Sequence, residues 1–168
     1  MNRKGILIVV VIAGFVLAGW ALIGAARSGR TSQPIAFNHK LHKEAGLECV
    51  NCHVYVETER YAGKPTLQTC LECHEEAMTE SPEEEKIRQY AKEKKEIPWR
   101  KISRTADHVF FTHQRHVVGA GMACATCHGN IGETTKSPSK PLKTLSMDDC
   151  MDCHRKNDAN NDCLACHW

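Results

Sequence analysis

The chain has 168 residues, a formal net charge of +2, and 42% hydrophobic but only 6% aromatic residues, with 10 Cys and 10 His. Its length allows one small domain or two very small ones, and the near-neutral charge leaves no nucleic-acid footprint. Outside the uncharged stretch Gly5–Ala26, about 140 residues hold few large apolar side chains, so disulfides, metals or a bulky cofactor must fill the interior.

Met1 to Lys4 is a short basic start, and the 22 residues Gly5–Ala26 are long enough to cross about 30 Å of hydrocarbon as a helix. The expectation is a transmembrane anchor. The alternative is a cleaved signal peptide, with Gly24-Ala25-Ala26 as its small-residue site. Arg3 and Lys4 precede the stretch and Arg27 and Arg30 follow it, so flanking charge says little about orientation. Residues 27–36 are a polar link.

Then Phe37-Asn38-His39-Lys40-Leu41-His42 leads into Gly46-Leu47-Glu48-Cys49, and Cys49/Cys52 opens the first of five identical motifs. The pairs are Cys49/Cys52, Cys70/Cys73, Cys124/Cys127, Cys150/Cys153 and Cys163/Cys166, each followed at once by His53, His74, His128, His154 or His167. Every cysteine is used. Two thiols three residues apart on a helical turn reach the two vinyl groups of one porphyrin, and the next residue's imidazole reaches the iron. Zinc would not require His after each pair, a redox dithiol would occur once, and a disulfide framework would not keep this spacing. The pattern reads as five c-type haems.

Between the second and third motifs, Ser81-Pro82-Glu83-Glu84-Glu85-Lys86 begins a charged run with a capping Ser, Pro in the first turn, and acids ahead of bases. This predicts a solvated helix over 82–95 with its charges on an exposed face. Ile97-Pro98-Trp99-Arg100 ends it. Lys101 and Arg104 are candidates for haem propionates, and Trp99 for packing on a porphyrin or a partner. Phe111-Thr112-His113-Gln114-Arg115-His116 and Gly121-Met122-Ala123-Cys124 then repeat the first half, with eight residues instead of seven from the second His to the first Cys. Thr66 and Ser146 stand in matching places before Cys70 and Cys150. Internal duplication follows. The loop Thr134–Lys143, with Pro138 and Pro141, is expected to be irregular.

Beyond the proximal histidines, His39, His42, His108, His113 and His116 remain, equal in number to the haems. Bis-histidine ligation is the simplest assignment. By the repeat, His39 serves the haem at Cys49/Cys52 and His113 the one at Cys124/Cys127; the order of the other three stays open. Met78, Met122, Met147 and Met151 are alternative sixth ligands. The expected fold is mainly α with extensive irregular loops and a haem-filled core, plus the N-terminal transmembrane helix. Its parts are an anchor over 1–30, a two-haem half over 31–80, a charged helical linker over 81–107 and a three-haem half over 108–168.

F-x-H-x-x-H ahead of C-x-x-C-H resembles the class III multihaem cytochromes c. The N-terminal stretch, Ile97 to Arg100, Asp107 to Val117, Cys150 to Arg155 and Asp162 to His167 are most similar to the pentahaem subunit of alternative complex III and to the related cytochrome subunit of the menaquinone reductase complex. That resemblance implies an electron wire docked on an integral membrane quinone-binding subunit and an iron–sulfur subunit. It also implies an additional haem in the menaquinone reductase subunit, so five motifs favour the alternative complex III type. The expected function is electron transfer in a quinol/quinone oxidoreductase complex, without catalysis by this chain. Other expected contacts are membrane lipid at the N-terminal helix and a soluble electron donor or acceptor, with no nucleic acid. Because haem is attached outside the cytoplasmic membrane, a single-pass placement with the C-terminal haem domain on the periplasmic side is expected. The alternatives are a membrane-anchored quinol dehydrogenase, an electron-transfer subunit of another molybdoenzyme complex, or a multihaem enzyme such as a nitrite reductase, which needs an open iron.

Overall fold

The computed structural model describes residues 5, 9, 11–20 and 32–167. The chain separates into two compact units, residues 1–31 and 32–168. In the first, residues 11–20 are helical. Among the described residues no helix is long and apolar enough to cross a membrane. That finding corrects the expected anchor over Gly5–Ala26, its lipid contact and the single-pass placement with a periplasmic domain. Residues 6–8, 10 and 21–26 of that stretch, and with them the small-residue cleavage site, lie outside the described residues.

The second unit is a succession of short helices joined by irregular chain, with an isolated bridge between Val109 and His167 in place of any strand among the described residues. In order these are α1 (His39–Glu44), α2 (Cys49–Cys52), α3 (Leu67–His74), α4 (Pro82–Lys92), a π-helix (Arg115–Gly119), α5 (Cys124–His128), a 3-10 turn (Ile131–Glu133), α6 (Met147–Lys156) and α7 (Cys163–Cys166). Helices this short do not persist by propensity; local caps delimit them. Asn38 caps α1 on Leu41 N at 3.0 Å, Thr66 caps α3 on Thr69 N at 3.2 Å, and Ser146 with Asp149 forms a reciprocal box on α6. Serine and proline start α4 as the sequence implies, and the left-handed Lys94 follows its end, so it closes at Lys92 rather than 95.

Among the described residues only Ile35, Val56, Leu67, Ile87 and Ile97 are buried apolar residues, and no side chain is fully buried. Four of them, all but Val56, cluster where α4 lies against α3, with Cys70, Leu71, Tyr90, Ala91 and Trp99 around them. Trp99 therefore belongs to this protein cluster. The stretch expected to be a solvated linker instead supplies Ile87, Ile97 and Trp99 to it. Its charge run is not wholly exposed either: Glu84 is only 6% accessible, because its carboxylate turns inward to cap the backbone of Met78 and Thr79.

Ile87→Ala is expected to lower stability by about 2–4 kcal/mol, whereas Lys92→Ala on the exposed side of α4 changes it by no more than about 0.5 kcal/mol. Chemical denaturation of the haem-loaded protein followed by far-UV circular dichroism measures both.

Candidate haem-binding sites

Each cysteine pair sits on one turn of its own helix: α2, α3, α5, α6 and α7. None of the ten cysteines is in a disulfide. Burial raises the thiol pKa of Cys49, Cys52, Cys127 and Cys150 and pushes Cys70 up to about 11.

The motifs adjoin in a definite order. Cys52 and Cys70 interact electrostatically, as do Cys52 and Cys73. Cys49 and Cys124 interact electrostatically as well. Cys127 interacts with Cys153 and Cys150, and Cys150 with Cys166. In space the sequence is therefore Cys70/Cys73, Cys49/Cys52, Cys124/Cys127, Cys150/Cys153, Cys163/Cys166, with the first two motifs reversed relative to the chain.

The histidines meet in pairs. Ring centroids of His42 and His74 are 6.0 Å apart, those of His113 and His128 6.2 Å, those of His116 and His154 6.2 Å, and those of His108 and His167 5.2 Å. His39 faces His53 electrostatically; burial, then His53 and His42, takes its pKa down to about 4. Burial, then His113 and His53, likewise lowers His128. Neutral imidazole is the form that binds metal. Two metal–nitrogen bonds of about 2 Å with the ring radii added place centroids roughly 6 Å apart, the spacing of the His42–His74, His113–His128 and His116–His154 pairs, while His108 and His167 stand closer.

The second nitrogen of most rings is already engaged. Nδ1 of His42 donates to Asn38 O at 2.8 Å, that of His53 to Gly63 O at 2.9 Å, and that of His113 to Arg60 O at 3.0 Å. Nδ1 of His116 donates to Thr112 O at 2.8 Å and that of His154 to Asn160 O at 2.6 Å. Nδ1 of His39 meets Thr134 Oγ1 at 2.9 Å, a hydroxyl whose own proton goes to Ile131 O. A proton held on Nδ1 leaves the Nε2 lone pair for a metal. Among the described residues no three His, Cys, Asp or Glu side chains converge as a metal cluster. Two donors suffice for an iron that brings four porphyrin nitrogens of its own. Leu41, Val54, Met147 and Leu164 stay more than half exposed beside the motifs, an apolar surface that would suit a porphyrin face. The residues present fit haem.

The duplicated halves build their pairs the same way. Phe37 sets its edge to His39 at 4.8 Å and tilts over His42 at 4.3 Å; Phe111 does so to His113 at 5.0 Å and His116 at 4.7 Å. The bracing is reciprocal. Thr134, in the loop after α5, holds His39 and takes Lys40 N at 3.1 Å. Glu59 and Arg60, in the loop after α2, take Gln114 N at 3.4 Å and His113 N at 3.2 Å. The extra residue of the second half is absorbed by the π-helix: Leu47 N bonds His42 O at 3.0 Å, and Met122 N bonds His116 O at 2.9 Å across one more residue. Gly46 and Gly121 take positive φ, +88° and +61°, at the matching turn. The fifth motif lies outside the repeat: Phe110 N bonds Cys166 O at 2.7 Å, which sets His167 beside His108.

Glu84 escapes sequence reading, since nothing in the charged run marks it. Its Oε1 accepts Met78 N at 2.7 Å and Arg88 Nη1 at 3.1 Å and stands 3.3 Å from His74 Nδ1, close enough for an ion pair but off the geometry of a good hydrogen bond. Oε2 accepts Thr79 N at 2.9 Å and the Thr79 hydroxyl. Hydrogen bonds from Thr79 and Met78, then the nearby His74 and the bond from Arg88, outweigh burial and hold its carboxyl down at about 2. Lys101 and Arg104 border, with Arg60, an open hollow of about 190 Å³.

Residues 23–99 match a family model described as the class III cytochrome C family, and residues 109–168 one described as cytochrome c7 and related cytochrome c. The chain is 30% identical, over 92% of its length and 87% of the relative's, to the menaquinone reductase multihaem cytochrome c subunit of Nitratidesulfovibrio vulgaris (strain Hildenborough). It belongs to the class III multihaem cytochromes c, as an electron-transfer cytochrome related to that subunit.

Gly46→Ala and Gly121→Ala meet no atom within 4 Å of the added Cβ, so each is expected to lose only the left-handed backbone cost of about 1–2 kcal/mol. Equal losses in parallel denaturation curves would verify that the two turns are equivalent.

Proposed function

We propose that this member of the family is a pentahaem electron-transfer subunit of a quinone-reacting complex. The observation that carries the reading is the pairing of the histidines. Cys49/Cys52 with His53 and His39, Cys70/Cys73 with His74 and His42, Cys124/Cys127 with His128 and His113, Cys150/Cys153 with His154 and His116, and Cys163/Cys166 with His167 and His108 each hold one haem. When bound, haem supplies reversible one-electron chemistry at iron.

The chain's residues attach, orient and tune. The cysteines would hold each ring covalently and the paired imidazoles would both bind its iron, which would leave no position for a substrate and no catalytic residue in this chain. His39 and His42, one turn apart on α1, serve two neighbouring haems, as do His113 and His116. Met78, Met122, Met147 and Met151 are left for packing. Arg60, Lys101 and Arg104 are placed to receive propionates. The path follows the order of the motifs, with its ends at Cys70/Cys73 and Cys163/Cys166. Two haems lie in 31–80 and three in 108–168, joined by 81–107.

The relationship to a menaquinone reductase subunit supports assembly with a quinone-binding subunit and an iron–sulfur subunit. The count of five motifs supports a second reading, the alternative complex III type, since the menaquinone reductase subunit is expected to carry an additional haem.

Intact mass and pyridine haemochrome assay are expected to return five haems per chain, and low-temperature electron paramagnetic resonance (EPR) only low-spin iron. His108→Ala is expected to turn one iron in five high-spin and leave the rest unchanged. A native high-spin iron that binds nitrite would overturn the reading. Subunit composition of the purified complex separates its two forms.

A further inference from the structure

We infer that Glu84 is a positioning residue that depresses the reduction potential of the haem at Cys70/Cys73 below those of the other four, by setting a buried carboxylate against Nδ1 of His74. The inference rests on the proposed axial role of His74.

Six of the histidines engage Nδ1 with a neutral oxygen: five with backbone carbonyls and His39 with a hydroxyl. His74 differs. Its Nδ1 is buried with no other acceptor, and the nearest acidic oxygen is Glu84 Oε1 at 3.3 Å. Glu84 is the buried charged residue among the described residues, at 6% exposure. Its position is not accidental: the amides of Met78 and Thr79, the Thr79 hydroxyl and Arg88 all hold it. Arg88 does not neutralise it, because the same guanidinium also bonds Glu85 at 2.9 and 2.6 Å. Two carboxylates share one cation, and a net negative charge remains beside the ligand.

An imidazole whose N–H faces a carboxylate is a more basic ligand. A more basic ligand and a nearby negative charge both favour ferric over ferrous iron, which lowers the potential. The proton stays on Nδ1, and only an electron passes between irons. Because Cys70/Cys73 stands at one end of the motif order, this places the strongest reductant at an end of the path, from which electrons run downhill to the rest.

The test is a spectroelectrochemical titration and low-temperature EPR of the full-length haem-loaded protein, beside Glu84→Gln, Glu85→Gln and Arg88→Gln. In Glu84→Gln one haem in five is expected to titrate at a higher potential, and one low-spin signal to move to a wider g spread, which mere loosening of the helix would not produce. In Arg88→Gln the same haem is expected to move lower, a readout that survives if Glu84→Gln fails to load. Glu85→Gln is expected to give a smaller shift. Five haems with unmoved potentials, or equal shifts from Glu84→Gln and Glu85→Gln, would overturn this inference alone. Fewer than five haems, or a high-spin iron in the native chain, would instead overturn the function it rests on.

Discussion

Five pairs of imidazoles meet inside a chain that has little else to pack. Four pairs hold their rings 5.2 to 6.2 Å apart, and nearly every local feature of residues 32–167 serves that spacing. A phenylalanine wedges against two histidines of each F-x-H-x-x-H segment. A positive-φ glycine turns the chain so that the helix bearing them runs into the next C-x-x-C-H turn. Backbone carbonyls take the Nδ1 protons and fix which nitrogen faces inward. Since two donors are all that an iron in a porphyrin asks of a protein, short helices suffice, and none needs a large apolar face of its own.

The halves are not independent. Each one's loop braces the other's helix, through Thr134 on His39 and through Arg60 on His113, and Cys49 and Cys124 lie near enough to interact electrostatically. The duplicated units are therefore clasped at their first motifs, and each second motif adjoins the first motif of its own half. This is why the spatial order of the motifs departs from the chain order. It also divides the stability of the chain in two. One part is the small cluster of Ile35, Leu67, Ile87 and Ile97; the other is whatever covers Leu41, Val54, Met147 and Leu164. With no fully buried side chain among the described residues, the interior suits bulky cofactors that add mass as well as chemistry.

Much was legible in advance because it is local. C-x-x-C-H spacing, capping Ser and Thr, Pro82 and the recurrence of Phe ahead of H-x-x-H are short-range patterns, and the helices begin where they imply. Two expectations drawn from composition alone did not survive. The uncharged stretch at the start was read as a bilayer-spanning helix, yet no described helix is long and apolar enough. The charged run after Ser81 was read as a solvated face, yet it buries Glu84 and Ile87. Composition averages over a segment, whereas burial is decided residue by residue by what packs against it.

The amino-acid sequence by itself determined the chemistry of this protein: ten thiols in helical-turn pairs, an imidazole after each, and a duplicated segment carrying more. These follow from spacing along one short piece of chain, which backbone geometry converts directly into position. Only the tertiary structure decided which imidazole faces which, in what order the motifs adjoin, and that a carboxylate ten residues beyond His74 lies against its ring. Those depend on contacts between residues up to about a hundred positions apart, such as Ser137 with Ile35, and no local pattern encodes how distant segments meet.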